Sequence, residues 1–231
     1  MLKKRIIPIQ LLSNHRLVKT MNFTKPRDVG DPITSSKVYS DQDVDELILL
    51  HIDRIENSIE FLVSIVKQIA KECFVPFSVG GGIKTIDDAR KLLAAGADKV
   101  ILNSIALKEP NIITEISSLS GTQAVVVAID VKLVRGKYKI YSNCGKTPED
   151  CLLSQHIQNV ISIGAGEIMI QSIDRDGEMK GYDLDLLKAV VSESSVPVIA
   201  AGGAGNFKHL NDALNLGVSA VACGSLFNFG D

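Results

Sequence analysis

The chain is short of the features that mark several protein classes. Its four cysteines, Cys73, Cys144, Cys151 and Cys223, are scattered with no C-x-x-C pair. That excludes a disulfide framework and a zinc site and fits a reduced, cytoplasmic setting. No apolar run approaches the roughly 18 residues of a membrane span. Nor is there a block of like charge: 25 basic against 27 acidic residues leave a net charge of −2, so neither nucleic acid nor an anionic membrane is an expected partner. Lys3-Lys4-Arg5 before an apolar segment resembles the start of a secretory signal, but Pro8 and Gln10 interrupt it and no small-residue cleavage site follows. The segment reads instead as a first strand.

What the chain does have is a glycine turn that occurs twice. Ser78-Val79-Gly80-Gly81-Gly82-Ile83 and Ala200-Ala201-Gly202-Gly203-Ala204-Gly205 each follow a β-branched run opened by proline and precede an amphipathic stretch. Each reads as strand, turn, helix. Glycines there let the backbone approach a bound group, and the following helix start offers free N–H groups, so each turn is a candidate phosphate cradle. Gly82 and Gly203 lie 121 residues apart. The offset recurs between Ser104 and Ser225, at the ends of the runs starting at Ala97 and Val218, and between Asp53 and Asp174, at the ends of those starting at Glu46 and Glu167. A doubled half-chain of about four strand-helix units, each too small to close a core, points to one (β/α)8 TIM barrel over residues 1–231, with half-barrels of about 1–120 and 121–231.

In chain order, the strands are expected at 5–11, 46–50, 75–79, 99–102, 124–130, 167–171, 198–201 and 220–223. Residues 13–31 read as a long polar first loop. Helices are expected at about 33–40, 57–71, from near Pro110, 148–163, 183–192 and 206–215, and one between Thr85 and Gly96 capped by Thr85 with Asp88 in the capping-box position. Residues 131–134 and 137–142 alternate about Arg135-Gly136, which predicts a β-hairpin inserted after strand five. Too few residues follow Ser225 for an eighth long helix, so the last helix is expected to be missing or truncated.

In such barrels chemistry sits where strands end. The polar residues there are Asp53, Asn103, Asp130, Gln171, Ser172, Asp174, Asp176 and Ser225, with His51 at the edge. Asp130, at the end of an apolar strand, is the leading acid/base candidate; the plain alternative is a cap for the hairpin. Asp176, in Asp174-Arg175-Asp176-Gly177, is a second catalytic candidate or a piece of a simple turn. Gly81, Gly82, Asn103 and Ser104 at one position, and Gly177, Gly202, Gly203, Gly224 and Ser225 at the other, together with Ser172, suit a bis-phosphate ligand, or tight packing alone. At the opposite mouth Arg5, Glu46, Lys99 and Glu167, read as one per alternate strand with alternating sign, form either a stabilising ring or a gate.

These residues carry a resemblance. Arg5-Ile6-Ile7-Pro8, Val18-Lys19, Val79-Gly80-Gly81-Gly82-Ile83, Gly96-Ala97-Asp98-Lys99-Val100, the run from Val125 to Asp130, Asp174-Arg175-Asp176-Gly177, Gly181-Tyr182-Asp183 and Gly202-Gly203-Ala204-Gly205 stand as in the cyclase subunit family of imidazole glycerol phosphate synthase. The resemblance implies a barrel that takes ammonia from a glutaminase partner docked on its N-terminal face. It implies a gate at Arg5, Glu46, Lys99 and Glu167, Asp98 at the partner interface, a phosphorylated small-molecule substrate, and Lys19 closing the first loop over it; no cofactor is implied. The chain departs from the family at Leu11 and His51, where the family carries aspartates, and reads Ile9-Gln10-Leu11 for its cysteine-leucine-aspartate. Proton transfer on two sides of the ligand needs two groups, and leucine supplies none. The leading expectation is therefore an ammonia-channelling subunit of the branch that amidates surface-polysaccharide sugars, turning an acetamido into an acetamidino group. The alternatives are the histidine-pathway cyclase itself and a non-catalytic scaffold that activates a glutaminase.

Overall fold

Eight of the chain's strands are parallel and close on themselves. The computed structural model describes residues 3–53 and 58–229. In chain order the strands are β1 (Arg5–Ser13), β2 (Arg16–Met21), β3 (Thr24–Gly30), β4 (Leu47–His51), β5 (Phe77–Gly80), β6 (Lys99–Leu102), β7 (Val125–Val134), β8 (Lys137–Ser142), β9 (Thr147–Pro148), β10 (Glu167–Ser172), β11 (Val198–Ala201) and β12 (Ala220–Cys223). The barrel runs β1-β4-β5-β6-β7-β10-β11-β12 and closes where β12 pairs β1, Arg5 opposite Ala220. This is the (β/α)8 barrel that the sequence predicts.

Strand parity divides the core in two. Ile7, Ile48, Ile101, Val126, Met169 and Ile199 point into the bore, while Leu47, Leu49, Val125, Val127, Ile168 and Ile170 meet the helices. Each such side chain, fully withdrawn from water, is worth about 1.5–3 kcal/mol. The helices are α1 (Pro32–Asp41), α2 (Ser58–Glu72), α3 (Ile86–Ala94), α4 (Ser104–Lys108), α5 (Asn111–Ser120), α6 (Leu153–Ser162), α7 (Leu184–Glu193), α8 (Phe207–Asn215) and α9 (Ser225–Phe229). In α2, Leu62, Val66 and Ile69 form a fully buried stripe at helical spacing. Thr85 and Asp88 make the expected reciprocal capping box on α3, and Asp183 and Asn206 cap α7 and α8. None of the described helices is long and apolar enough to cross a membrane.

Some sequence expectations are corrected. Residues 13–31 are not an irregular loop: β1 runs on to Ser13 and turns back through β2 and β3, with Leu11 opposite Val18. Leu17 and Val18 are buried there, and polar residues on the outer side of the hairpin mask the strand pattern. The sixth helix starts at Leu153 rather than near residue 148, because Pro148 pairs with Tyr141 within β9. Two short helices that the sequence pattern does not announce, α4 and α9, follow β6 and β12 directly. The first residue of the helix expected at 57–71 lies outside the described residues, and α2 is described from Ser58. The hairpin after the fifth barrel strand is present as β7 and β8.

Candidate functional site

The lower, N-terminal mouth is closed by charge. Arg5 Nη1 bonds Glu46 Oε2 at 2.6 Å and its Nη2 bonds Glu167 Oε2 at 2.5 Å. Lys99 Nζ reaches Glu167 Oε1 at 2.6 Å and both oxygens of Glu46 at 3.1 Å. Each cation thus bridges both anions, and Ser78 Oγ donates to Glu46 Oε1 at 2.6 Å from the wall. The four come from β1, from just before β4, from β6 and from β10. They are the first, second, fourth and sixth barrel positions, so the expected strict alternation is corrected, although the ring itself forms. Burial opposes the Glu167 charge, but bonds from Arg5 and Lys99 more than offset it and hold the carboxyl below its usual range. Below the ring lies a depression of about 520 Å³ bounded by Lys3, Asp45, Pro197 and Ser219. Asp98, exposed nearby, accepts the Phe77 N–H at 2.8 Å and so tethers the start of β5.

At the upper mouth Asp130 ends the inward row Val126, Ala128, Asp130. It is 7% exposed, and its carboxyl is pushed up to about 7, chiefly by burial; an Asn103 hydrogen bond lowers it and the nearby Asp176 charge raises it. The cap of the inserted hairpin is Asp174, whose Oδ2 accepts the Leu133 N–H at 2.8 Å. Asp130 is thereby left facing the bore.

The two glycine turns are alike in backbone and unlike in surroundings. Gly81 and Gly82 have φ of 97° and 75°, and Gly202 and Gly203 have 86° and 113°, the left-handed region in both repeats. At the first turn, the His51 carbonyl would lie 1.9 Å from a Cβ on Gly81. The Asn103 amide donates to Ala128 O at 3.1 Å, and Ser104 Oγ accepts the Asn143 N–H at 2.9 Å. At the second, Gly177, Gly202, Gly203, Gly224 and Ser225 line a narrow cavity with Leu11, Lys19, Thr20 and Asp176. Lys19 enters it from β2. Its Nζ donates to Ile9 O at 2.6 Å, and burial lowers its pKa to about 8 against the opposing charge of Asp176. Cys223 is itself pushed up to about 12 by burial.

Two strand-end residues fall outside the mouth. His51 lies on the helix side, its ring 5.6 Å from that of Phe61 and its Nε2 3.7 Å from Asp53 Oδ2. It shares the parity of Leu47 and Leu49, so it packs in the helix layer rather than at the mouth, and burial lowers its pKa against the nearby Asp53 charge. Ser172 shares the parity of Ile168 and Ile170 and does not line the cavity. Asp176 does line it, but its Oδ2 accepts from Thr20 Oγ1 at 2.8 Å and its Oδ1 from Gln171 Nε2 at 3.3 Å. Thr20 is the site residue that sequence reasoning misses. The one signal for it is its place beside Lys19.

Comparisons with known proteins agree with this geometry. The model of the histidine biosynthesis protein family matches residues 5–231. Among curated relatives, the imidazole glycerol phosphate synthase subunit HisF of Dictyoglomus thermophilum is 45% identical over 100% of this chain and 92% of its own length. Those of Campylobacter concisus and Exiguobacterium sibiricum are 43% and 42% identical over 99% of this chain and 90% and 92% of theirs. With a closed barrel, a charged ring at one mouth and a buried carboxyl at the other, the chain belongs to the histidine biosynthesis protein family, among the HisF subunits of imidazole glycerol phosphate synthase.

Proposed function

We propose that this chain is the ammonia-using synthase subunit of a glutamine-dependent complex. A glutaminase subunit docks on the N-terminal face, and ammonia passes the charged ring to an anionic acceptor at the opposite mouth. The observation that carries this reading is a single bore with the Arg5, Glu46, Lys99, Glu167 ring at one end and Asp130 at the other. An unpaired ammonium ion would face a large desolvation cost among the aliphatic side chains between them, whereas neutral ammonia would not. The ring keeps water out until a partner's contacts near Asp98 and the lower depression pull an ion pair open. Asp130, with its carboxyl near neutrality, can take a proton from the attacking nitrogen or return one to the leaving group. The Lys19 ammonium and the turn at Gly202 and Gly203 suit one phosphate of the acceptor; Gly81, Gly82, Asn103 and Ser104 suit the other.

The shared name of the relatives favours the histidine-pathway reaction, in which the phosphoribulosyl-formimino intermediate and ammonia give imidazole glycerol phosphate and aminoimidazole carboxamide ribotide. A second reading, amidation of a surface-polysaccharide sugar in which nitrogen replaces the acetamido oxygen, is favoured by one observation. Leu11 puts hydrocarbon into the cavity wall where the family supplies its second carboxylate. A single-turnover assay of the chain with the formimino intermediate and ammonium separates them. Rapid formation of both products supports the cyclase. Binding of the intermediate without turnover refutes the cyclase; amidation of a sugar acceptor would then support the second reading, and stimulation of a glutaminase with no turnover of either acceptor would reduce the chain to a scaffold.

A further inference from the structure

We propose that Thr20 is the positioning residue of the site: its hydroxyl, bonded to the Asp176 carboxylate, holds the hairpin of β2 and β3 shut on the barrel mouth, and with it the Lys19 ammonium over the second glycine turn. The inference rests on the reading of that turn as an anion cradle.

Lys19 is buried, yet among the described residues no carboxylate lies within ion-pair distance of its Nζ, whose one hydrogen bond runs to the Ile9 carbonyl. A buried ammonium so poorly compensated favours return to water, and the hairpin carrying it favours opening. The Arg16 to Asp28 ion pair stiffens the hairpin internally and does not tie it to the barrel. The pairing of Leu11 with Val18 joins the hairpin to its own strand β1; what ties it to the far side of the mouth are the contacts on the Asp176 turn. Asn22 N–H donates to Asp176 O at 2.9 Å, Phe23 N–H to Oδ2 at 3.4 Å, and Thr20 Oγ1 to Oδ2 at 2.8 Å. The Thr20 contact is the shortest, and it is made by the residue next to Lys19. The two backbone segments also approach closely here: a Cβ on Gly177, whose φ is 72°, would lie 2.3 Å from the Thr20 carbonyl oxygen. Asp176 therefore acts in this structure as the latch plate of the hairpin. An anion entering the cavity supplies the countercharge that Lys19 lacks, so closure and anion binding reinforce each other.

The peptide bond after Lys19 reports the open state, because trypsin reaches that buried side chain only when the hairpin lifts. In the full chain, Thr20→Val keeps the shape and removes the hydroxyl, while Thr20→Ser restores it. A lost hydrogen bond to a charged group predicts cleavage at Lys19 about ten-fold faster in the valine variant, near wild-type cleavage in the serine variant, and weaker protection of the valine variant by inorganic phosphate. Equal cleavage of wild type and valine variant, or equally fast cleavage of the valine and serine variants, would overturn the latch. Wild-type cleavage indifferent to phosphate would instead overturn the anion reading, while the valine and serine comparison still decides the latch.

Discussion

Asp130 should make the stability of this protein depend on pH in a way that a single substitution removes. In the folded chain its carboxyl is raised from 3.8 to about 7, chiefly by burial. The folded state thus binds the Asp130 proton more tightly than the unfolded state does. Stability from this group is fully present below the unfolded value and is lost as pH rises through the folded one. Each pH unit between those two values is worth about 1.4 kcal/mol, so the whole effect is about 4 kcal/mol, and the share falling between pH 5 and pH 8 is about 2.5 kcal/mol. Asp130→Asn keeps the shape and the polar contact with Asn103 but does not titrate. Urea unfolding followed by circular dichroism at pH 5, 6, 7 and 8 should therefore show the variant gaining on wild type by about 2.5 kcal/mol across the series. Titrating groups that do not interact with Asp130 cancel in the difference. A variant-minus-wild-type difference that stays flat with pH would refute the reasoning, because it would mean that water or a conformational change solvates the carboxylate at no cost.

Further perturbations test the rest of the site. Lys99→Met leaves Glu46 and Glu167 buried with Arg5 as their remaining ring cation, and should cost about 3–5 kcal/mol at neutral pH in chemical unfolding, less at a pH low enough to protonate the carboxylates. Gly203→Ala sets a Cβ 2.3 Å from the Gly181 carbonyl at a φ of 113°, so it should destabilise the fold by well over the ~1 kcal/mol of an ordinary glycine change, read as a lower thermal midpoint, and weaken phosphate binding in calorimetry. Leu11→Asp restores a second carboxylate to the cavity wall; ammonium-dependent turnover of the formimino intermediate should rise by about 10²-fold or more, and an unchanged rate would mean that the proton work is already done elsewhere.

The duplicated turns illustrate how far sequence and structure diverge. Their matched spacing is plain from residues alone, and the matched left-handed glycines follow from it. Their different surroundings are not, since the Asn143 loop over Ser104 and the Lys19 side chain beside Gly224 arrive from segments far away in the chain. His51 is misplaced by sequence reasoning for a related reason. A residue at a strand end can face the bore or the helices, and one step of register decides which. The first hairpin is hidden because most of its outer residues are polar and Pro26 interrupts the run.

By itself, then, the order of residues determined the eight-strand barrel, the inserted hairpin, the charged residues of the lower mouth and the carboxylate of the upper one, because each is written in local periodicity or in position along a strand. Only the folded chain decided that four charges from separate strands close into one cycle, that Asp174 rather than Asp130 caps the hairpin, and that Thr20 meets Asp176 across 156 residues. Those outcomes depend on barrel closure, which brings distant strand ends to within a few ångströms and leaves no trace in spacing along the chain.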